Sequence, residues 1–466
     1  MIRYVNGIGA EGWDGRIVGF GVVRGRAAQK RGADFLAALV CRQTTCLRKL
    51  GEGRAGEVRF GRFLRNPAVT KDEMLASAGA ATGARVAGRR VLAIQDTTEL
   101  NFSGHTGSKR GFGTVGNGID IGLFLHPQVV VDALSGGIIG LAGATVINRT
   151  EPLKLARRAR SLEQKESRRW LDGAVAAGRV LAEAQEITVV ADRESDIYEE
   201  FARCPGNVHL LTRAAQDRAI TGGGRLFGAA AGLAEQDRYS VDVPAKGGRP
   251  ARQALVALGF GRVSIERPKR MDNGGLPAAV TLHVVDVREI DPPAGEKPVH
   301  WCLLTTHVVK TVAEARRMVG WYRLRWTIEQ VFRTLKSQGF AIEESQIVDA
   351  KTLAKLAIAA LIAAVRVMQL VRARDGTTAQ RLTEGFQSQD QSLIEALVTK
   401  LQGKTEKQKN PHPPGSLARA AWVIGRLGGW SGYVGGGYKP AGPKTMHDGL
   451  TRFDAIKHGW ELAQNV

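Results

Sequence analysis

The sequence predicts a mixed α/β protein: a sheet flanked by helices, interrupted by a β-rich insertion, with helical regions at both ends. Three features carry that reading. Short apolar runs stop at polar residues, as buried strands do; one pair of runs is joined by a tight turn; and long stretches of helical periodicity follow the β-rich part.

Taken in order, RVLAIQD ends at Asp96 and reads as a short buried strand. QVVVDAL and GIIGLAGATVI flank Ser135, Gly136 and Gly137, a turn signal that makes the two a hairpin. Residues 162–184 carry Trp170, Leu171, Val175, Val180 and Leu181 at helical spacing. ITVVA, ending before Asp192, is the next strand, and Ser195 or Asp196 is placed to cap a helix over DIYEEFAR, with Glu199 three residues after Asp196. VHLLTR, ending at Arg213, is one more strand. From 215 to 300, runs such as YSVDV, ALVALGF and VTLHVVDV alternate with GGG, KGGRP and DNGGLPA turns. They read as an insertion rather than a continuation of the core. Residues 311–338 and 350–374 have helical patterns. The second is Ala- and Leu-rich on most sides, which makes it a buried core helix, with helix-mediated self-association as the functional alternative.

Charge narrows the function. The 466 residues include 66 Lys and Arg against 45 Asp and Glu, a net charge of +21 and a pI near 10.2. That balance suits a polyanion binder better than a general metabolic enzyme, because phosphate contacts dominate nucleic-acid affinity. Residues 1–65 are especially basic, with 13 Lys or Arg and 5 Asp or Glu. A hydrophobic content of 43% excludes a mainly disordered chain. Cys41, Cys46, Cys204 and Cys302 form no CxxC pair, so they read as buried thiols in a reducing compartment. The opening MIRYVNGIGAEGWDG has no apolar h-region, and the most apolar run, 356–365, is too short to cross a bilayer. A cytoplasmic protein with no membrane partner is therefore expected.

Asp96 and Asp192 each follow a buried apolar run, where carboxylates on neighbouring strands can converge on a divalent cation. Asp132 and Asp286 occupy similar positions, where an Asp is more often a turn residue. In WYRLRWTIEQVFRTLKSQG, Tyr322, Arg325, Glu329 and Lys336 fall within an arc of about 60° on a helix. Trp321, Leu324, Ile328, Phe332 and Leu335 form an adjacent apolar stripe. Glu329 could equally pair with Arg325 and Arg333 on a solvated face. Gly111, Gly113 and Gly116 spell GxGxxG without the flanking strand and helix of a dinucleotide site; a flexible basic loop over DNA, led by Lys109 and Arg110, suits them better, with an unremarkable surface loop equally open. The histidines show no HExxH spacing, which leaves a zinc hydrolase unsupported.

These residues resemble a known family. Tyr322, Arg325, Glu329 and Lys336 match the YREK signature of bacterial insertion-sequence transposases with an RNase H-like DDE core. IQDTTELNF around Asp96 and DRESDIYE around Asp192 look like that family's two aspartate motifs. The resemblance runs from about Val58 to near the C-terminus and is weaker over residues 1–57. It implies an RNase H-like sheet in which Asp96, Asp192 and Glu329 are catalytic and hold two Mg2+ ions, with Mn2+ as a substitute. It also implies DNA contacts from Arg213, Tyr322, Arg325 and Lys336, and stacking of Trp301 on an extruded base, although Trp301 could equally be a core aromatic. The organisation it implies is a helical DNA-binding region at 1–75, core at 76–214 and 301–348, the insertion at 215–300, and a helical C-terminal region at 349–466 for dimerisation. The expected activity is cut-and-paste transposition of double-stranded DNA, at terminal inverted repeats and a target, by a homodimer. The alternatives are a catalytically inactive, transposase-derived DNA-binding protein and a carboxylate-pair hydrolase such as a glycosidase. The net charge disfavours the last.

Overall fold

The computed structural model describes residues 26–150, 165–243, 250–269, 271, 275–433 and 439–464. Helices α1 (Arg26–Arg42), α2 (Leu47–Leu50), α3 (Arg54–Arg65) and α4 (Lys71–Gly83) lead. Strands β1 (Arg90–Gln95), β2 (Thr98–Asn101), β3 (Gly113–Thr114), β4 (Ile121–Asp132) and β5 (Ile138–Ile147) follow. Next come α5 (Arg168–Val180), β6 (Glu186–Ala191), α6 (Tyr198–Ala202) and β7 (His209–Arg213). The β-rich part contains α7 (Leu226–Ala231), β8 (Asp237–Val243), β9 (Arg252–Glu266), β10 (Ala279–Glu289) and β11 (His300–Thr305). Helices α8 (Val312–Leu324), α9 (Trp326–Lys336), α10 (Ala350–Ala373), α11 (Asp390–Leu401), α12 (Leu417–Leu427) and α13 (Pro443–Gln464) close the chain.

All the strands join one mixed sheet of order β2-β4-β1-β6-β7-β11-β10-β9-β8, with β3 and β5 also paired to β4. The expected hairpin is β4–β5. Asp132 Oδ1 accepts the Leu134 and Ser135 amides, and Gly136 takes φ +68°, a left-handed conformation that glycine adopts without steric cost. Asp132 is thus a turn residue. Strands β1, β6 and β7 are parallel, and buried on nearly every residue, as the continuously apolar VLAI and VVA runs require.

The β-rich segment joins the same sheet. Its strands form no separate sheet. Strand β11 pairs with β7 on one side and β10 on the other, so β8, β9 and β10 extend the core sheet outward. Turns cut the sequence into short runs, but the buried alternation on β9 and β10 keeps them in register with the core. The KGGRP turn lies mostly, and the DNGGLPA turn partly, outside the described residues, as do residues 1–25 and 162–164.

Helix α8 begins with a capping box, in which Thr311 Oγ1 accepts the Glu314 amide and the Glu314 carboxylate accepts the Thr311 amide. It packs on β6, β7 and β10. The expected single helix over 311–338 is divided at Arg325, where the amide of Arg325 bonds Tyr322 O and that of Ile328 bonds Arg325 O, i→i+3 contacts that tighten the turn. Arg325 keeps right-handed helical angles, φ −50° and ψ −33°, so the two faces stay nearly in phase.

Helix α10 is buried on most sides, as expected of a core helix. By length and composition it could cross a membrane, yet 83% of its apolar window is covered by the protein. It packs against α1, α4, α9, α12, α13 and β5, tying both helical ends to the sheet. Helix α4 runs through residue 75 and packs on β5, so the N-terminal helices grade into the core.

Two local expectations are corrected. Neither Ser195 nor Asp196 caps α6, whose N-cap is Ile197. Asp196 instead receives the amides of Ala215 and Gln216 and the Arg218 guanidinium at 2.7 Å, and Ser195 Oγ meets Thr212 Oγ1 at 2.9 Å. Lys109 does not lead a free basic loop. Its Nζ donates to the carbonyls of Ser345 and Ile347, and a strand-like bridge ties Arg110 to Asp349.

The Asp196–Arg218 pair is buried, with side-chain exposures of 0% and 5%. Asp196→Ala leaves an uncompensated buried guanidinium and should destabilise the protein by about 3–5 kcal/mol in urea unfolding. A loss under about 1 kcal/mol would show the pair to be unimportant for the loop after β7.

Candidate active site

The sheet explains why two acids meet. Strands β1 and β6 are parallel with Ile94 opposite Val190, so Asp96 and Asp192 both lie two residues past that pair, at the same edge of adjacent strands. Adjacent strands run about 4.8 Å apart. Helix α8 crosses this region and delivers Tyr322, the break after it delivers Arg325, and α9 adds Glu329 one turn later.

Arg325 is the centre of the cluster. Its Nη1 lies 2.7 Å from Asp96 Oδ2 and 3.5 Å from Glu329 Oε1, and its Nη2 lies 3.9 Å from Asp192 Oδ2. The Tyr322 hydroxyl donates to Asp192 Oδ1 at 3.1 Å. The guanidinium is 10% exposed, whereas Asp192 and Glu329 are each 35% exposed. The cluster is thus cationic and enclosed at its base and acidic towards solvent. The three carboxylates do not all approach within 4.8 Å of one another, because the guanidinium lies among them.

The electrostatics follow from burial and charge. Burial pushes the Asp96 carboxyl up to about 6; Arg325 and the Thr97 amide pull it down, and Glu329 and Asp192 push it up. Burial raises the Tyr322 hydroxyl to about 12, aided by the charge of Asp192, so it remains a hydrogen-bond donor. For Arg325, burial works towards a lower value, but Asp192, Tyr322, Asp96 and Glu329 outweigh it and the net direction is up.

The other residues singled out in sequence lie round this centre. Trp301, at the start of β11, is half-buried with its ring 6.3 Å from that of Tyr322. Arg213, at the end of β7, donates to His300 O at 2.7 Å. Lys336 stands apart from the acids. It donates to Glu99 O at 2.8 Å and pairs with Glu343 at 3.1 Å, fastening the end of α9 to β2.

Sequence reasoning missed a network behind Asp96. Thr97 Oγ1 lies 2.9 Å from His126 Nδ1 and accepts Arg169 Nε at 3.0 Å, and Arg169 pairs with Glu194. Burial, then the Arg169 charge, drives His126 down to about 3, so it is a neutral ring packed edge-on to Trp170. The only signal was the threonine directly after Asp96.

Three carboxylates offer hard oxygen donors, the set preferred by Mg2+ or Mn2+, and the guanidinium among them marks where positive charge is needed. The donor chemistry therefore fits a divalent cation held by Asp96, Asp192 and Glu329. A mixed sheet flanked by helices, with this acidic edge, is an RNase H-like core. The family model described as Transposase DDE domain matches residues 88–366, well over half of the chain. The chain belongs to that transposase family.

Folding raises the Asp96 carboxyl from 3.8 to about 6, so its proton-linked contribution to stability is fully present below 3.8 and lost as pH rises through about 6. Arg325→Gln removes the charge that favours the carboxylate and should move the Asp96 midpoint above about 6 in a carboxyl 13C NMR titration. An unmoved midpoint would show that the guanidinium exerts no field there.

Proposed function

We propose that this transposase-family chain moves its DNA by cut-and-paste. It binds terminal inverted repeats as a homodimer, nicks one strand by hydrolysis, closes a hairpin by attack of the freed 3′-hydroxyl on the opposite strand, reopens it with water, and joins the end to target DNA. The observation that carries this reading is the gathering of Asp96, Asp192 and Glu329 round one guanidinium at the sheet edge. The net charge of +21 supports a polyanionic substrate.

The residues divide the work. Asp96, Asp192 and Glu329 would hold two Mg2+ ions, or Mn2+ in their place, which when bound supply activation of the attacking oxygen and stabilisation of the leaving one. Tyr322 orients Asp192 through its hydroxyl. Arg325 now neutralises the acids; once they are otherwise compensated, its guanidinium is released to a phosphate oxygen, for which a planar fork of donors is suited. Arg213 contributes positive charge beside Tyr322. Trp301 offers a half-exposed ring on which a flipped base can stack in place of its lost neighbours. Lys336 reaches a phosphate by exchanging Glu343 for DNA.

Glu329→Gln removes one carboxylate charge and no phosphate contact. On a labelled end duplex in Mg2+ it should lower nicking on the order of 10²-fold or more, the scale of losing one electrostatic stabiliser, with duplex affinity largely unchanged. Nicking at the parental rate would remove Glu329 from the mechanism. Duplex binding by the parent without any nicking in Mg2+ or Mn2+ would favour the inactive DNA-binding protein instead.

A further inference from the structure

The opposite edge of the same strands carries a second group of ligand-bearing side chains. Glu186 opens β6, His209 opens β7, and His307 lies two residues past the end of β11. Because β7 runs parallel to β6 and antiparallel to β11, all three arrive together at the end away from Asp192, Arg213 and Trp301. Each offers one ligand atom, and these atoms all lie within 4.8 Å of one another, an approach no other His, Cys, Asp or Glu trio achieves among the described residues.

The two rings lie face to face, with centroids 3.9 Å apart and planes 21° from parallel. Each ring is held at one nitrogen by a threonine hydroxyl: His307 Nε2 lies 2.8 Å from Thr188 Oγ1, and His209 Nδ1 lies 3.4 Å from Thr306 Oγ1. That is how metal-ligating histidines are commonly fixed, one nitrogen to a neighbour and the other to the ion. Arg90 stands opposite Glu186 in the sheet register, and the charges of Arg90 and Arg317 reach His307.

We propose that Glu186, His209 and His307 form a site for one divalent transition-metal ion of the zinc class, separate from the acids at the other edge. Two imidazoles and a carboxylate are a borderline donor set that favours Zn2+ or Co2+, whereas Mg2+ prefers oxygen alone. One ligand comes from each of β6 and β7 and one from the residues after β11, so the ion cross-links three core strands. It lies a strand length, roughly 17–20 Å, from Asp192. At that distance the ion takes no part in chemistry at the acids; with three protein ligands it keeps an open fourth position for water, unlike a closed four-ligand structural site. To meet one ion, the facing rings must open out of their stack so that both lone pairs converge.

The full-length chain, stripped by chelator and held in excess Mg2+ to saturate oxygen-only sites, is titrated with Co2+ while visible d–d absorption is recorded. One Co2+ per chain is expected, and Zn2+ should displace it and raise the melting temperature by roughly 5 °C. His209→Ala and Glu186→Gln should each weaken Co2+ binding about tenfold or more. Asp192→Asn should keep the Co2+ band. Should His209→Ala misfold, Glu186→Gln, a near-isosteric change, carries the test. Absence of saturable Co2+ binding, retention of parental affinity in Glu186→Gln, or loss of the band in Asp192→Asn would each overturn the assignment.

Discussion

Three carboxylates can share one edge of a sheet only if something positive stands among them. In this protein that is Arg325, whose guanidinium reaches Asp96, Asp192 and Glu329 together from the break between α8 and α9. Without a cation, mutual repulsion and burial would drive at least one acid to its neutral form, and the raised Asp96 shows that pressure already at work. The tightened turn at Arg325 has a purpose in this light. It lets the arginine and Glu329, one turn on, face the same strand ends while the apolar stripe of α9 stays buried. Positioning by strand register and compensation by one side chain are thus two halves of a single constraint.

The parallel arrangement of β1, β6 and β7 gives the sheet two chemically different ends. Strand tails supply aspartates and an arginine; strand heads supply Glu186 and His209, with His307 arriving beside them after β11. Hard oxygen donors gather at one end and nitrogen donors at the other. On the two sites proposed above, such a separation would sort two kinds of divalent ion by ligand chemistry.

Much of this was legible in the sequence where local pattern and tertiary role agree. The runs VLAI and VVA are continuously apolar because parallel central strands are buried on both faces, and the aspartates that follow could be found from where those runs stop. The helical phase of Tyr322, Arg325 and Glu329 survived because Arg325 keeps helical angles across the break. What escaped were contacts that depend on distant chain. Asp196 looks like a helix cap until Arg218 and the amides of Ala215 and Gln216 are folded against it. Lys109 looks like a solvated cation until the carbonyls of Ser345 and Ile347 arrive. Glu186 and His209 stand 23 residues apart and His307 follows 98 residues later, so no short spacing rule could group them.

The β-rich segment serves as a support for the core. Strand β11 carries Trp301 at one end and leads to His307 at the other, so it spans both edges. An unpaired edge strand would have exposed amides and carbonyls and would fray. With β10 bonded along one side of β11, and β9 and β8 beyond, β11 becomes an interior strand fixed from both sides. The ring of Trp301 is then presented beside Tyr322 from a rigid backbone instead of a mobile margin. Bracing of this kind explains why β8, β9 and β10, which carry none of Asp96, Asp192 or Glu329, are built into the sheet that holds those acids.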